Sequence, residues 1–223
     1  MNNFDWKQLF NPEFYILLEV SGFKIGLFVV LFIVFAETGL LAGFFLPGDS
    51  LLFLAGIYSE TITLQISLNK DILNVSTLAS LIALMAIFGN MTGYWFGAKS
   101  GHYLYSRNDN FLYKKHYLYQ AKDFFDKYGS KAIVFARFLP IIRTFAPVVA
   151  GIVAMDKKKF MFFNIIGSFI WAFTMVFAGH YLYKLFLDKF QIDLKHYIEY
   201  IVIGIILMTT FPVLLKILKK QKF

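Results

Sequence analysis

Four ionisable side chains interrupt stretches of the sequence that are otherwise strongly apolar. Glu37 and Asp49 stand in the first of these stretches, and Arg137 and Arg143 stand in a later one. An ionised group at the depth of a bilayer core costs from about 3 to more than 10 kcal/mol, so it persists where it is paired, hydrated or directed into a cavity. The least costly arrangement brings the two carboxylates against the two guanidiniums. We therefore expect a polar, water-accessible cavity where the two stretches meet.

The chemistry of these four groups suggests a division of roles. A guanidinium stays charged and presents a planar fork that matches phosphate oxygens. A carboxylate in a poorly hydrated cavity can exchange protons near neutral pH. Our hypothesis is that Arg137 and Arg143 hold an anionic headgroup, while Glu37 and Asp49 couple its movement to protons. The alternative is a buried salt-bridge cluster that only locks the two segments together, and both hold if the pairs break when substrate arrives.

The composition places the chain in a membrane. Of its 223 residues 58% are hydrophobic, 28 are Phe and none is Cys. A soluble domain of this length has too little interior to hide so much apolar material. The formal net charge of +8 comes mostly from Lys and Arg between or just beyond the apolar segments, which is typical of topology signals rather than of nucleic-acid binding. The lack of Cys excludes disulfides and thiol chemistry.

The predicted fold class is an all-α polytopic membrane protein with about four transmembrane helices, two re-entrant helical hairpins arranged as an inverted repeat, and amphipathic interfacial helices. A span needs about 20 apolar residues, so the broken segments are too long for one span and too short for two. The hairpin turns are predicted at Pro47, Gly48, Pro140 and Pro147. The predicted single membrane domain 1–223 comprises an interfacial lead-in (1–21), a first repeat (22–105) with a hairpin at about 37–57, an amphipathic cytoplasmic helix (106–130), a second repeat (131–185) with a hairpin at about 132–153, and a final span with a basic tail (196–223).

The spans and their orientation follow from apolar length and from the basic residues. Full spans are predicted at 73–98, 160–183 and about 197–215, and an earlier one precedes the first hairpin. The loop 99–131 carries seven basic and three acidic residues, so it is cytoplasmic. Counting spans from this loop places 59–71 outside and both termini in the cytoplasm. In the amphipathic helix one face is predicted to contain Phe111, Leu118, Ala121, Phe125 and Tyr128.

Two short motifs occur twice in the same order. Phe45-Leu46-Pro47 followed by Ala55-Gly56 matches Phe138-Leu139-Pro140 followed by Ala150-Gly151, and the sequence GHYLY occurs at 101–105 and 179–183. Each half therefore reads as a hairpin followed by a span. Because the first hairpin enters from outside and the second from inside, the halves have opposite orientation, as in many secondary transporters that bind substrate between inverted repeats.

The remaining polar and small residues favour structural roles. Glycines recur every fourth residue at Gly89, Gly93, Gly97 and Gly101, which predicts close helix packing through a small-residue face. Asn164 and Trp171 are interpreted as packing and interface residues. The histidines are predicted to be interfacial, since their spacing does not suit a metal site; they are His102, His116, His180 and His196.

Nothing in the sequence indicates catalysis. It contains no phosphate-binding glycine loop with its lysine, no recognisable Ser/His/Asp arrangement and no zinc-protease helix motif. We therefore predict a protein that is not an enzyme, with no catalytic residue, no metal and no cofactor.

Four blocks of the sequence, taken in this order, resemble the DedA family, which is also described as carrying the SNARE-associated or VTT domain. The resemblance covers about residues 25–185, and Lys99 stands where an Arg is common. The matching blocks are Glu37 with FLPGD (45–49) and Ala55-Gly56; GNMTGYWFGAKSG (89–101); FARFLPIIRTFAPVVAG (135–151); and Met155 followed by Phe160, Asn164, Gly167 and Trp171.

This resemblance implies a bacterial inner-membrane protein with two facing re-entrant hairpins. It also implies a role in moving lipids between leaflets, such as undecaprenyl phosphate or phosphatidylethanolamine, that depends on the proton-motive force and supports envelope integrity. The family's functional charged residues fall on Glu37, Asp49, Arg137 and Arg143.

Three functions are compatible with the sequence. The leading one is a flippase for a phosphate-bearing lipid, with protons as the coupling ion. The second is a proton-coupled antiporter for small cations or drugs, in which the carboxylates bind substrate. The third is a membrane scaffold without transport. The sequence leaves the identity of the lipid, the proton stoichiometry and an oligomeric state open, and it predicts no nucleic-acid partner.

Overall fold

The structure is a computed structural model of the whole chain. The residues that it describes are 12–20, 23–40, 48–63, 71–106, 115–137, 140–198, 200–201 and 204. The predicted fourth span, at about 197–215, lies almost entirely outside the described residues.

Helices make up nearly all of the described chain, which confirms the predicted all-α class in its broad form. The exception is a short antiparallel ladder in which Glu19 pairs with Lys24 and Val20 with Phe23. The elements are α1 (Pro12–Ile16), β1 (Glu19–Val20), β2 (Phe23–Lys24), α2 (Gly26–Gly39), α3 (Gly48–Ile57), α4 (Ser59–Thr63), α5 (Asp71–Ser106), α6 (Lys115–Tyr128), α7 (Ala132–Ala136), α8 (Pro140–Ile152) and α9 (Lys157–Phe190), with 3₁₀ turns at Gly129–Lys131 and Leu194–Tyr197.

Two helices are long and apolar enough to cross a bilayer. Their candidate spanning segments are Asp71–Gly101 in α5 and Lys157–Phe190 in α9. At about 1.5 Å per residue each exceeds the ~30 Å hydrocarbon core. The spans predicted at 73–98 and 160–183 lie inside these two helices. The α2 helix has 14 residues and is about 21 Å long, shorter than the span predicted there. The total number of spans stays a prediction.

The two predicted hairpins appear as helix breaks of different kinds. In the first segment α2 ends at Gly39 and α3 begins at Gly48, while the predicted turn residue Pro47 lies outside the described residues. In the second segment α7 ends at Ala136 and α8 begins at Pro140. Proline suits a first helical position because the N–H that it lacks has no partner there in any case. That either segment re-enters the membrane stays a prediction.

The predicted turn at Pro147 is not found. Pro147 lies inside α8, which continues to Ile152. Its ring removes one N–H from the helix, which normally kinks or breaks it. Here the helix nevertheless continues beyond Pro147 to Ile152.

The amphipathic helix predicted at 106–130 is described from Lys115 to Tyr128. Phe125 is buried in a cluster with Ala132, Ile133, Ala150 and Phe160. Tyr128, which the sequence placed on the same face, is exposed. The apolar face of α6 therefore packs against protein at Phe125. Phe111 lies outside the described residues, and a membrane-surface location for this helix stays a prediction.

The chain forms two compact units. The first unit contains 1–32, 47–81 and 172–223, and the second contains 33–46 and 82–171. Each predicted repeat therefore contributes to both units, because the long helices α5 and α9 each begin in one unit and end in the other.

A reciprocal glycine contact joins α8 to α5 in the second unit. A Cβ added to Gly97 would lie 2.0 Å from the carbonyl oxygen of Val148, and one added to Gly151 would lie 2.1 Å from that of Tyr94. Backbone therefore touches backbone at this crossing, and only glycine permits it.

The first unit contains the same contact between α3 and α9. A Cβ added to Gly56 would lie 2.1 Å from the carbonyl oxygen of Val176, and one added to Gly179 would lie 2.0 Å from that of Phe53. In both units the contacted carbonyl lies three residues before the partner glycine. This likeness supports the predicted repeat, whose opposite orientation stays a prediction.

The contacts also revise the sequence alignment of the halves. They relate Gly56 to Gly151, as the Ala-Gly match predicted. They relate Gly179 to Gly97, whereas the GHYLY match related it to Gly101. The repeated pentapeptide is therefore displaced by four residues, about one helical turn.

The α5 glycines provide a matched test of this packing. We expect Gly97→Ala to lower the stability of the purified protein by about 1–3 kcal/mol or more, because the new methyl group would overlap backbone that cannot move aside. Gly93→Ala serves as the control, since its Cβ would lie 3.4 Å from side-chain atoms of Pro147 and Val148. Thermal unfolding in detergent measures both, and equal unfolding temperatures for the two variants would contradict the backbone contact.

Candidate functional site

The second unit contains a buried ion pair between α2 and α8. Nη2 of Arg143 donates a hydrogen bond to Oε1 of Glu37, and the two side chains are 8% and 1% exposed. The Arg143 guanidinium also lies over the indole of Trp171, with Cζ 5.1 Å from the ring centroid. The pair is therefore desolvated, with a carboxylate on one side of the guanidinium and an aromatic ring beside it.

The two helices position this pair by their burial patterns. Glu37 lies near the end of α2 on the same face as the buried residues Val34 and Val30. Arg143 lies in the first turns of α8, three residues after Pro140 starts the helix. Because α8 begins at Pro140, Arg143 lies near its N-terminal end, where it reaches Glu37 of α2.

Arg137 occupies a different environment in the same unit. Its Nη2 donates to Oδ1 of Asn164 and Oγ of Ser168, both at 2.6 Å, and to the Asn164 carbonyl at 3.3 Å. Asn90 contacts both Arg137 and Asn164 with its side-chain amide. All four side chains are buried. Among the described residues, the hydrogen-bond acceptors of Arg137 are therefore neutral.

Gly167 makes room for this arginine. A Cβ at Gly167 would lie 2.9 Å from both Cδ and Nε of Arg137. The glycine thus lets the arginine stem lie against α9 between Asn164 and Ser168. A larger residue would push the guanidinium away from its acceptors.

The sequence predicted that Glu37, Asp49, Arg137 and Arg143 would meet as two acids against two bases. The structure pairs Glu37 with Arg143 and holds Arg137 on neutral groups in the same unit. Asp49 is half-buried in the first turn of α3, in the first unit. The arrangement of the second unit is thus one ion pair plus one buried cation.

Asn164 and Trp171 have larger roles than the sequence suggested. Both were interpreted as packing or interface residues, yet Asn164 binds Arg137 and Trp171 contacts Arg143. With Ser168 they lie at helical spacings of four and three residues, which place them on one face of α9. Polar and aromatic residues at this spacing on an apolar helix are the sequence signal that could have identified them as contacts of the arginines.

The first unit contains a second polar cluster that the sequence did not reveal. His180 is 3% exposed and lies between Ser59, with Nδ1 to Oγ 3.0 Å, and Asp71, with Nε2 to Oδ2 3.2 Å. Lys184 donates to the same oxygen of Asp71. His180 is therefore buried in protein and hydrogen-bonded, in a helix that continues to Phe190, and its interfacial location stays a prediction. His196 is exposed.

A cavity of about 610 Å³ lies in the second unit. Its walls are mainly aromatic and methionine side chains, and Lys157, Thr92 and Tyr94 add polar groups. This size and lining suit a flexible apolar ligand. The other lining residues are Phe35, Met85, Phe88, Met91, Trp95, Ala98, Phe160 and Met161.

Within the described part of the chain, no group of three or more His, Cys, Asp or Glu residues could hold a metal ion.

Comparisons with known proteins agree with this picture of a membrane protein. The VTT domain model matches residues 46–181. Protein DedA of Escherichia coli K12 is 34% identical over 204 residues, covering 91% of this chain and 87% of that protein. Inner membrane protein YqjA of the same strain is 30% identical over 176 residues, covering 79% and 76%. An uncharacterized membrane protein of Mycobacterium tuberculosis H37Rv is 40% identical over 153 residues, covering 69% and 64%. No solved structure matches the chain.

A double-mutant cycle measures what the Glu37–Arg143 pair contributes. We expect Glu37→Leu and Arg143→Met each to destabilise the protein by about 3–5 kcal/mol, because each removes one charge of the ion pair and leaves the other charge buried. The double variant should lose much less, since no charge then remains buried at that place. Unfolding in detergent measures the cycle, and Lys158→Met, at an exposed position, is the control. Additive losses would show that the two side chains do not interact.

The acceptors of Arg137 can be tested separately. Asn164→Ala should lower stability by about 1.5–3 kcal/mol, because the guanidinium loses hydrogen bonds that it cannot replace with water. Thr174→Ala, an exposed polar residue on the same helix, should change stability by less than about 0.5 kcal/mol. The same unfolding assay compares the two, and an unaffected Asn164→Ala would mean that Arg137 finds other partners.

Proposed function

The chain belongs to the DedA family of membrane proteins that carry the VTT domain, and on that premise we propose that it moves a phosphate-bearing lipid between the leaflets of a bacterial inner membrane. The candidate lipids are undecaprenyl phosphate and phosphatidylethanolamine, and movement depends on the proton-motive force. The site comprises Arg137, Arg143 and Glu37 in the second unit, with Asp49 as a further proton-coupling residue.

The observation that carries the proposal is an imbalance of buried charge. The buried charged side chains of the second unit, among those described, are Arg137, Arg143 and Glu37. Two cations against one anion leave a net positive charge in a poorly hydrated environment, where electrostatic interactions are strong. A phosphate group supplies the missing negative charge and accepts hydrogen bonds from a guanidinium in the same geometry as a carboxylate.

This geometry links protons to substrate. Phosphate binding to Arg143 replaces the hydrogen bond from Arg143 to Glu37. Glu37 would then be a buried carboxylate without its cation, and taking up a proton removes that cost. Proton binding at Glu37 and phosphate binding at Arg143 therefore favour each other. When the proton leaves Glu37, its carboxylate again accepts the hydrogen bond from Arg143, and the phosphate is released.

The apolar cavity supports the lipid part of the proposal. Its walls are flexible methionines and aromatic rings, which accommodate hydrocarbon chains of varied shape. The cavity and the charged site belong to the same unit. Apolar walls contribute nothing to the binding of a soluble phosphate, whereas they can bury the hydrocarbon of an isoprenoid or acyl chain.

The buried charge also argues against the second candidate function, the antiporter. A proton-coupled antiporter for small cations would bind its substrate at the carboxylates. A site with excess positive charge repels such a substrate, so the described residues favour a lipid whose phosphate group faces the arginines. The antiporter and the scaffold are outcomes that the following experiment separates.

Arg143→Lys tests the phosphate site in proteoliposomes. We expect movement of labelled undecaprenyl phosphate or phosphatidylethanolamine to fall about tenfold or more, because lysine cannot offer the two parallel N–H groups of arginine and one charged hydrogen bond contributes ~1.5–3 kcal/mol. Lys158→Arg, at an exposed position, is the matched control and should leave movement unchanged.

The same vesicles distinguish the alternatives. Unimpaired lipid movement after replacing both Arg137 and Arg143 would refute the phosphate site. Dissipation of a pH gradient by added cations, with no lipid movement, would establish the antiporter. If correctly folded protein shows neither lipid movement nor cation-driven loss of the pH gradient, the scaffold function is established. A panel of lipids with and without a phosphate group then identifies the substrate.

A further inference from the structure

The polar cluster of the first unit is a chain of three titratable or hydroxyl groups from three helices. Ser59 is the first residue of α4, Asp71 is the first residue of α5, and His180 lies inside α9. His180 touches Ser59 through Nδ1 and Asp71 through Nε2, at 3.0 and 3.2 Å. Ser59 is fully buried, whereas the Asp71 side chain is 36% exposed. The chain therefore leads from a half-exposed carboxylate to a buried hydroxyl.

The hydrogen-bonding capacities of these groups fix the position of the imidazole proton. An ionised carboxylate only accepts, so in the neutral ring Nε2 must carry the proton that is donated to Asp71. The unprotonated Nδ1 is then an acceptor, and the Ser59 hydroxyl donates to it. A neutral His180 thus already has an acceptor atom, Nδ1, directed into the protein.

Adding one proton to His180 changes this pattern in a defined way. Both ring nitrogens become donors, so the Ser59 hydroxyl must turn and accept. Its own hydrogen then needs another acceptor, and the preceding helical turn offers carbonyl oxygens of the kind that serine commonly uses. Protonation of His180 therefore reverses the direction of its bond to α4 while the bond to Asp71 persists.

Charged and titratable groups lie around His180 on three helices. On α5, Asp71 faces the ring directly, and its Oδ1 is buried without a hydrogen-bond partner among the described residues. On α9, Lys184 shares the Asp71 carboxylate, and the Tyr181 ring packs at 5.3 Å from the imidazole. On α4, Glu60 is exposed next to Ser59. Asp71 thus contacts the imidazole directly, and Lys184 binds the same carboxylate oxygen.

We infer that Asp71, His180 and Ser59 form a proton-binding site in the first unit, in which Asp71 fixes the ring through Nε2 and His180 takes up the proton at Nδ1, next to Ser59. These residues belong to the first unit, whereas the two arginines of the proposed phosphate site belong to the second.

A hydrolytic reading of the same three residue types does not fit. A serine nucleophile must reach an acyl substrate, and the Ser59 side chain is completely buried. The geometry suits uptake of a proton at Nδ1 of His180, which needs only that the hydrogen bond to Ser59 reverses.

Nitrogen NMR of the full-length protein in lipid nanodiscs tests the inference. With ¹⁵N-labelled histidine, the His180 signals are identified by their loss in His180→Gln. We expect the neutral ring to carry its proton on Nε2, and mild acidification to convert it reversibly to the doubly protonated form. In Asp71→Asn we expect a mixture of the two neutral forms and a smaller imidazolium fraction at the same pH, since the fixed acceptor is gone.

His196 supplies the matched control. It also lies near an aspartate, Asp193, with Nδ1 to Oδ2 3.8 Å, but it is exposed. Its signals, assigned by His196→Gln, should be unchanged by Asp71→Asn. A neutral His180 with its proton on Nδ1, or a His180 that stays neutral while His196 is protonated, would overturn the inference.

These outcomes are independent of the lipid proposal. The readout is the protonation of one histidine ring, so it needs no lipid substrate and no transport activity. Lipid movement could fail while His180 behaves as expected, and the reverse is equally visible.

Discussion

The second unit depends on how two guanidiniums are kept in a desolvated interior, where one buried carboxylate is found among the described residues. Arg143 is stabilised by Glu37 and by the ring of Trp171, whereas Arg137 relies on the amide and hydroxyl oxygens of α9. A buried cation without such partners would cost several kcal/mol. The glycine at 167 and the helix break before Pro140 both serve these contacts. The charge that remains in excess makes the arrangement suitable for an anion.

Close helix contact is the second constraint, and it takes the same form in both units. Short helices α3 and α8 each cross a long helix through a reciprocal pair of glycines and carbonyl oxygens. In an apolar solvent the hydrophobic effect does not hold helices together, so packing at short distance contributes much of the association. These crossings set where α8 begins and therefore where Arg143 can reach α2.

Each unit also contains a polar group close in sequence to its glycine crossing. The group is centred on His180 in the first unit and on Arg143 in the second. In the first unit His180 follows Gly179 directly, and in the second Arg143 lies five residues before Val148. The first group connects α4, α5 and α9 by hydrogen bonds. The second connects α8 to α2 by a hydrogen bond and to α9 by the contact of Arg143 with the Trp171 ring.

The sequence by itself determined the membrane class, the two long helices, the broken segments and the burial of Glu37, Arg137 and Arg143, because apolar length and charge within it are properties of residue type and spacing. It did not determine partners. Asn164 looked like packing, His180 showed no partner, Pro147 looked like a turn, and Gly101 looked like the counterpart of Gly179. Each of these depended on which helix faces lie together. That Asn164 accepts from Arg137, and that His180 lies between Ser59 and Asp71, was decided only by tertiary packing, since it joins residues 27 to 121 positions apart.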